Sequence, residues 1–167
     1  MPVVKYNGFN TQKAATFEST VSVTGLLTLA GGITIAGPVT EPVEVVTATN
    51  VITASESGKT FYLDAVAGFE STLPTAAAGL NFRFIVKTAP TSNGYTITGS
   101  PADKISGTVA CSGAEDTVNG VTAALADNVI FVANVALVGD LVEFRSDGAL
   151  WFVNGNVNTF AAITANG

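Results

Sequence analysis

The chain has 167 residues, 47% of them hydrophobic and only 12% charged, with a formal net charge of -6 and no histidine. The lack of histidine removes the commonest general base, the commonest metal ligand and every Ser-His or Cys-His triad. The acidic balance argues against nucleic acid, whose binding draws on a basic surface. The composition therefore excludes enzyme classes more firmly than it names a function, and it points to a structural or interaction protein without a cofactor.

Cys111 is the single cysteine, so an intrachain disulfide and a zinc cluster are both excluded. The opening MPVVKYNGFNTQ lacks the apolar run of a secretory signal. The longest apolar stretch, Val129 to Val138, is too short to span a bilayer and contains Asn134. No membrane partner is expected. Mean hydropathy is nonetheless +0.44. A chain so apolar has either an unusually large core or much surface buried against other subunits, and the second is the expectation here.

Residues 1–20 read as an arm with irregularly spaced aromatics. Lys5 and Lys13 give residues 1–17 a charge of +2 and leave -8 on the remainder. A basic arm with Tyr6, Phe9 and Phe17 on an acidic body can dock through aromatic anchors; a frayed terminus is the plainer reading.

Residues 21–42 hold the clearest signal, a hexad: VSVTGL, LTLAGG, ITIAGP, then VT. Val21, Leu27, Ile33 and Val39 recur every sixth position, as do Val23, Leu29 and Ile35, with Ser or Thr between them and Gly at the end of each full unit. The alternation is that of a strand, and Gly marks where it turns. Three such short strands cannot bury their own apolar face. Three chains wound about one axis solve this as a short β-shaft, with those seven residues facing inward. A β-helix coil made by one chain, or a meander packed on the body, are the alternatives.

Pro38 and Pro42 stiffen the exit into a body of residues 43–167. Ten short strands are expected there: 45–49, 60–64, 69–73, 82–88, 95–98, 104–109, 128–132, 141–145, 150–153 and 160–164. Spacings of about 10 residues with Gly, Pro and Asn punctuation indicate an antiparallel β-sandwich or β-barrel. Asp147-Gly148 predicts a two-residue hairpin turn, and the strand at 82–86 is expected to form a second hairpin with 95–97. Only 75–78 and 119–126 have helical propensity. The fold class expected is all-β, a short intertwined shaft followed by that body.

Motifs for chemistry are weak. Ser57-Gly58-Lys59-Thr60 ends like a phosphate-binding loop, but Thr53 stands where its first Gly belongs and a strand should follow. Asp140 and Glu143 would be the pair for a polysaccharide depolymerase, yet strand parity sends them to opposite faces. Calcium has weak oxygen-rich candidates at Asp140, Asp147 and an Asn154-Gly155-Asn156 turn. Trp151 is either core or a sugar platform.

A hexad shaft followed by a β-body resembles structural proteins of tailed bacteriophages: capsid decoration proteins, head fibres and tail fibres. Gly68-Phe69-Glu70-Ser71-Thr72-Leu73-Pro74, Ala78-Gly79-Leu80-Asn81-Phe82-Arg83-Phe84 and Gly139-Asp140-Leu141-Val142-Glu143-Phe144 carry the likeness, with Ser146-Asp147-Gly148 and Trp151-Phe152-Val153. The resemblance implies a homotrimer on the outside of a virion; with the basic, aromatic arm it leads to the expectation of a protein on the outer capsid surface that docks on the major capsid protein through Lys5, Tyr6, Phe9, Lys13 and Phe17. The short chain favours decoration; the alternative is a fibre that binds a host receptor or surface glycan.

Overall fold

The structure is a computed structural model that describes residues 37–112 and 121–167. The chain divides into two compact units, Met1–Val39 and Thr40–Gly167. The second unit is all-β, two sheets packed as a sandwich.

Its first six strands are β1 (Val43–Val46), β2 (Asn50–Val51), β3 (Thr60–Leu63), β4 (Phe69–Thr72), β5 (Asn81–Val86) and β6 (Tyr95–Thr98). They alternate strictly between sheets. β1, β3 and β5 lie side by side in parallel in one sheet, and β2, β4 and β6 do the same in the other. Each odd–even pair is thus a rung, and three rungs stack. The other strands are β7 (Lys104–Cys111), β8 (Val121–Ala126), β9 (Asn128–Phe131), β10 (Leu141–Ser146), β11 (Leu150–Val157) and β12 (Ile163–Asn166). The larger sheet runs β1-β3-β5-β10-β11-β7-β8 and the smaller β12-β9-β6-β4-β2.

Period-two patterning decides what faces inward. In β5, Phe82, Phe84 and Val86 are buried while Asn81, Arg83 and Ile85 point out. In β10, Val142 and Phe144 are buried between Leu141, Glu143 and Arg145. Phe61 stacks on Phe84 at 5.3 Å, Phe84 meets Phe144 edge-on at 5.7 Å, and Phe82 lies 5.6 Å from Trp151. Aromatic pairs in such geometries add to the stabilisation from burial alone. On the facing sheet, the Tyr95 hydroxyl accepts from the Ala65 N–H at 2.8 Å and lies 2.7 Å from the Thr88 carbonyl. Burial pushes its pKa up.

Several expectations need correction. The sheets are mixed, not antiparallel throughout, because a chain that alternates between sheets must bring each strand back parallel to the last. For the same reason β5 and β6 do not form a hairpin; they lie in different sheets. The β10–β11 hairpin exists, but Ser146 pairs with Trp151 across four residues rather than two. Asp147 Oδ1 accepts the Ala149 and Leu150 N–H groups at 2.8 and 2.9 Å, and Gly148 supplies the positive φ of 107°. Residues 121–126, with their helical propensity, are strand β8, paired to β7. Asn154-Gly155-Asn156 is no turn but the middle of β11, where Gly155 packs against the Leu141 carbonyl.

The sandwich margins differ. At one, a single residue, Asp127, carries the chain from β8 into β9 and so from one sheet to the other. Its N–H donates to the Asn166 carbonyl at 2.7 Å and its carbonyl accepts the Gly99 N–H at 2.9 Å. Leu125 takes a positive φ of 57° where β8 bulges against β7. At the other margin lie β1 and β2. Among the described residues β1 pairs only with β3, and β2 only with β4.

Candidate functional site

The margin formed by β1 and β2 collects apolar side chains on the outside. Alternation turns Val43 and Val45 away from the core, 61% and 49% exposed, while Val46 is buried. Val51 on β2 is 72% exposed beside buried Ile52. The outer row of the larger sheet continues from Val45 through Tyr62 and Ile85 to Leu141, paired strand by strand. Each of those three is half-buried.

Ion pairs hold the end of this margin. Lys59, entering β3, donates to Glu44 of β1 at 2.7 Å and to Glu56 at 2.8 Å. Glu56 closes a 3-10 turn, Ala54–Glu56, and also accepts the Thr53 N–H at 2.8 Å, a capping box. The Lys59 hydrogen bond, followed by that of the Thr53 backbone, lowers the Glu56 pKa to about 2. The pairing with Glu44, then Glu56, raises the Lys59 pKa. Gly58 precedes Lys59 with a φ of 87°. A strand follows, so Ser57-Gly58-Lys59-Thr60 is a turn and not a phosphate loop.

The next outer rows are polar. Arg83 donates through Nε to Glu143 Oε1 at 2.7 Å and reaches Glu41 at 3.5 Å. Burial opposes the charge on Arg83, but the Glu143 bond outweighs it and raises the pKa. A cleft of about 160 Å³ opens here, lined by Glu41, Lys59, Thr60, Asn81 and Arg83. Farther across the sheet, Arg145, Phe152 and Ser106 form one row and Glu143, Asn154 and Thr108 the next. Arg145, Phe152, Glu143, Asn154 and Thr108 border a shallow dish over Gly107. Phe152 is 44% exposed at its centre. Gly107, at a φ of 144°, allows close approach of strands, since a Cβ there would lie 1.9 Å from the Val153 carbonyl oxygen.

The predicted site residues fare unevenly. Lys5, Tyr6, Phe9, Lys13, Phe17, Val21, Val23, Leu27, Leu29, Ile33 and Ile35 lie outside the described residues. Val39 is described and exposed. Trp151 is fully buried in the aromatic core, with its indole N–H unpartnered among the described residues, so it is no sugar platform. Its neighbour Phe152 has that exposure instead. Strict alternation along β11 (Leu150 out, Trp151 in, Phe152 out) was the signal available in the sequence.

Asp140 and Glu143 do separate to opposite sides. Asp140 is buried and accepts the Leu137 and Asn158 N–H groups, each at 2.8 Å, and the Asn158 side-chain amide at 2.9 Å. It is a structural joint. Asp147 caps its own hairpin, whose two backbone N–H donors, Ala149 first, lower its pKa. Among the described residues, no three His, Cys, Asp or Glu side chains converge as a metal site, and no helix is long and apolar enough to cross a membrane.

No protein-family model, curated protein or solved structure matches the chain.

Proposed function

We propose that this chain is a homotrimeric structural protein of a virion, a decoration protein that attaches to the outer capsid surface and stabilises the head. In this reading residues 1–20 dock on the major capsid protein through Lys5, Tyr6, Phe9, Lys13 and Phe17. Residues 21–42 join three chains through Val21, Val23, Leu27, Leu29, Ile33, Ile35 and Val39, and the sandwich projects outward.

One observation carries it. Val21, Leu27, Ile33 and Val39 recur every sixth position, as do Val23, Leu29 and Ile35, with Ser or Thr between the apolar pairs. Hexads that cannot bury their own apolar pairs then call for partners in other copies. Three arms on one trimer would raise the effective concentration at the capsid, so weak single contacts sum to firm attachment. Light scattering across dilution tests the assembly: three times the 16.9 kDa chain mass is expected, and a monomer would sink the reading. Deleting residues 1–17 should leave the trimer intact and abolish capsid binding.

A second reading, a fibre that binds a host surface glycan, is favoured by the Phe152 dish. An aromatic face flanked by Arg145, Asn154 and Thr108 suits the apolar face and hydroxyls of a sugar ring. Binding of cell-surface polysaccharide to the protein, lost in Phe152→Ala, would support it.

A further inference from the structure

The exposed valines of β1 and β2 need a cover. An outer strand with outward β-branched apolar side chains is a template for association, and natural sheets blunt such edges with charge, proline or a covering element. Here Pro42 lies just before β1 and Glu44 is turned to Lys59, leaving Val43 and Val45 outward. Val51 repeats the feature on the neighbouring sheet.

We infer that this margin is buried against neighbouring copies of the same chain, so that the sandwich itself, and not only the hexads, forms the trimer contact. The inference rests on the trimeric reading above and deepens it. Val39 is the last hexad position and Val43 the first residue of β1, four residues later. Four residues reach at most about 14 Å when fully extended. If three chains meet at Val39, the start of each β1 strand is tethered within about 14 Å of the meeting point. A threefold contact is heterologous: the valines of one copy meet a different patch on the next. The half-buried row of Tyr62, Ile85 and Leu141, continuous with Val45 across the larger sheet, is the apolar patch available to receive them.

The test compares the full-length chain with Val43→Glu/Val45→Glu, both by light scattering across dilution. The wild type should remain trimeric, and the double variant should dissociate at a concentration at least about tenfold higher, with an unchanged far-UV spectrum. A trimeric wild type with an equally persistent variant overturns the inference while leaving the trimeric reading intact. A monomeric wild type overturns both. If the variant loses its folded spectrum, cysteine crosslinking decides. In a Cys111→Ser background, Val45→Cys should yield covalent trimers with a short bismaleimide. Phe160→Cys, beside β12 at the opposite margin, should not. No crosslinked product from Val45→Cys in a trimeric sample overturns the inference.

Discussion

The two margins of the sandwich solve the same problem differently. At the β8–β12 margin the chain closes the gap itself, through the Asp127 corner and the Asn166 hydrogen bond. At the β1–β2 margin the sheets end, among the described residues, with valines outside and ion pairs at the rim. The first rests on backbone hydrogen bonds, indifferent to salt, with one exposed ion pair between Asp127 and Lys104; the second rests on the Lys59–Glu44–Glu56 pairs, which salt screens. One side is thus closed by the chain itself, and the other is held by side chains.

Substitutions test that difference. The largest loss is expected from Gly107→Ala, next to the sealed margin. Its Cβ would strike the Val153 carbonyl at 1.9 Å and its φ of 144° disfavours any side chain. We expect a cost of about 3 kcal/mol or more in chemical denaturation. Asp140→Ala removes the acceptor for three N–H donors and should cost about 2–3 kcal/mol. Both should destabilise the sandwich as a whole, and retention of wild-type stability by either would contradict the contacts described for that residue.

The open margin should respond more mildly. Glu56→Gln should cost about 0.5–1 kcal/mol, given the partial exposure of the pair. Its pH dependence has a definite sign. The Glu56 pKa in the folded protein lies below its ordinary 4.5, so the stabilisation is fully present above pH 4.5 and is lost as pH falls towards about 2. Acid titration followed by amide exchange should therefore expose β1 before β8, and Glu56→Gln should remove that difference. The smallest effect belongs to Val51→Thr, within about 0.5 kcal/mol for folding of the body. A larger effect would mean that the valine packs within its own chain.

Much of this body was legible in period-two patterning. Tyr95–Thr98 has the expected bounds, and the Leu141 and Leu150 strands pair as a hairpin. Strand spacing, however, is silent about which sheet a strand joins. The strands at 81–86 and 95–98 look like hairpin partners because they are adjacent in sequence, yet the loop between them crosses the sandwich. β8 was obscured by its run of small residues, Ala123-Ala124-Leu125-Ala126, whose intrinsic preference is helical. Pairing with β7 overrides it. The exposed valines were visible in the alternation of Val43, Glu44 and Val45, but their position on an outer strand was not, because edge position is a property of topology. Asp140 looked like a candidate for chemistry because sequence does not reveal the three N–H groups that occupy its carboxylate.

The alternation of β1 to β6 between sheets also has a mechanical side. Tension on the body through Thr40 is borne first by the pairing of β1 with β3 and of β2 with β4, before any of it reaches β5 or β6. If that outermost rung detaches, residues 40–59 add about 65 Å of extensible chain at ~3.3 Å per residue. The rung left behind, β3 and β4, presents a parallel edge of the same kind, so β1 and β2 can return to their register. Loss of that rung alone would leave Phe84, Phe144 and Trp151, on β5, β10 and β11, in place.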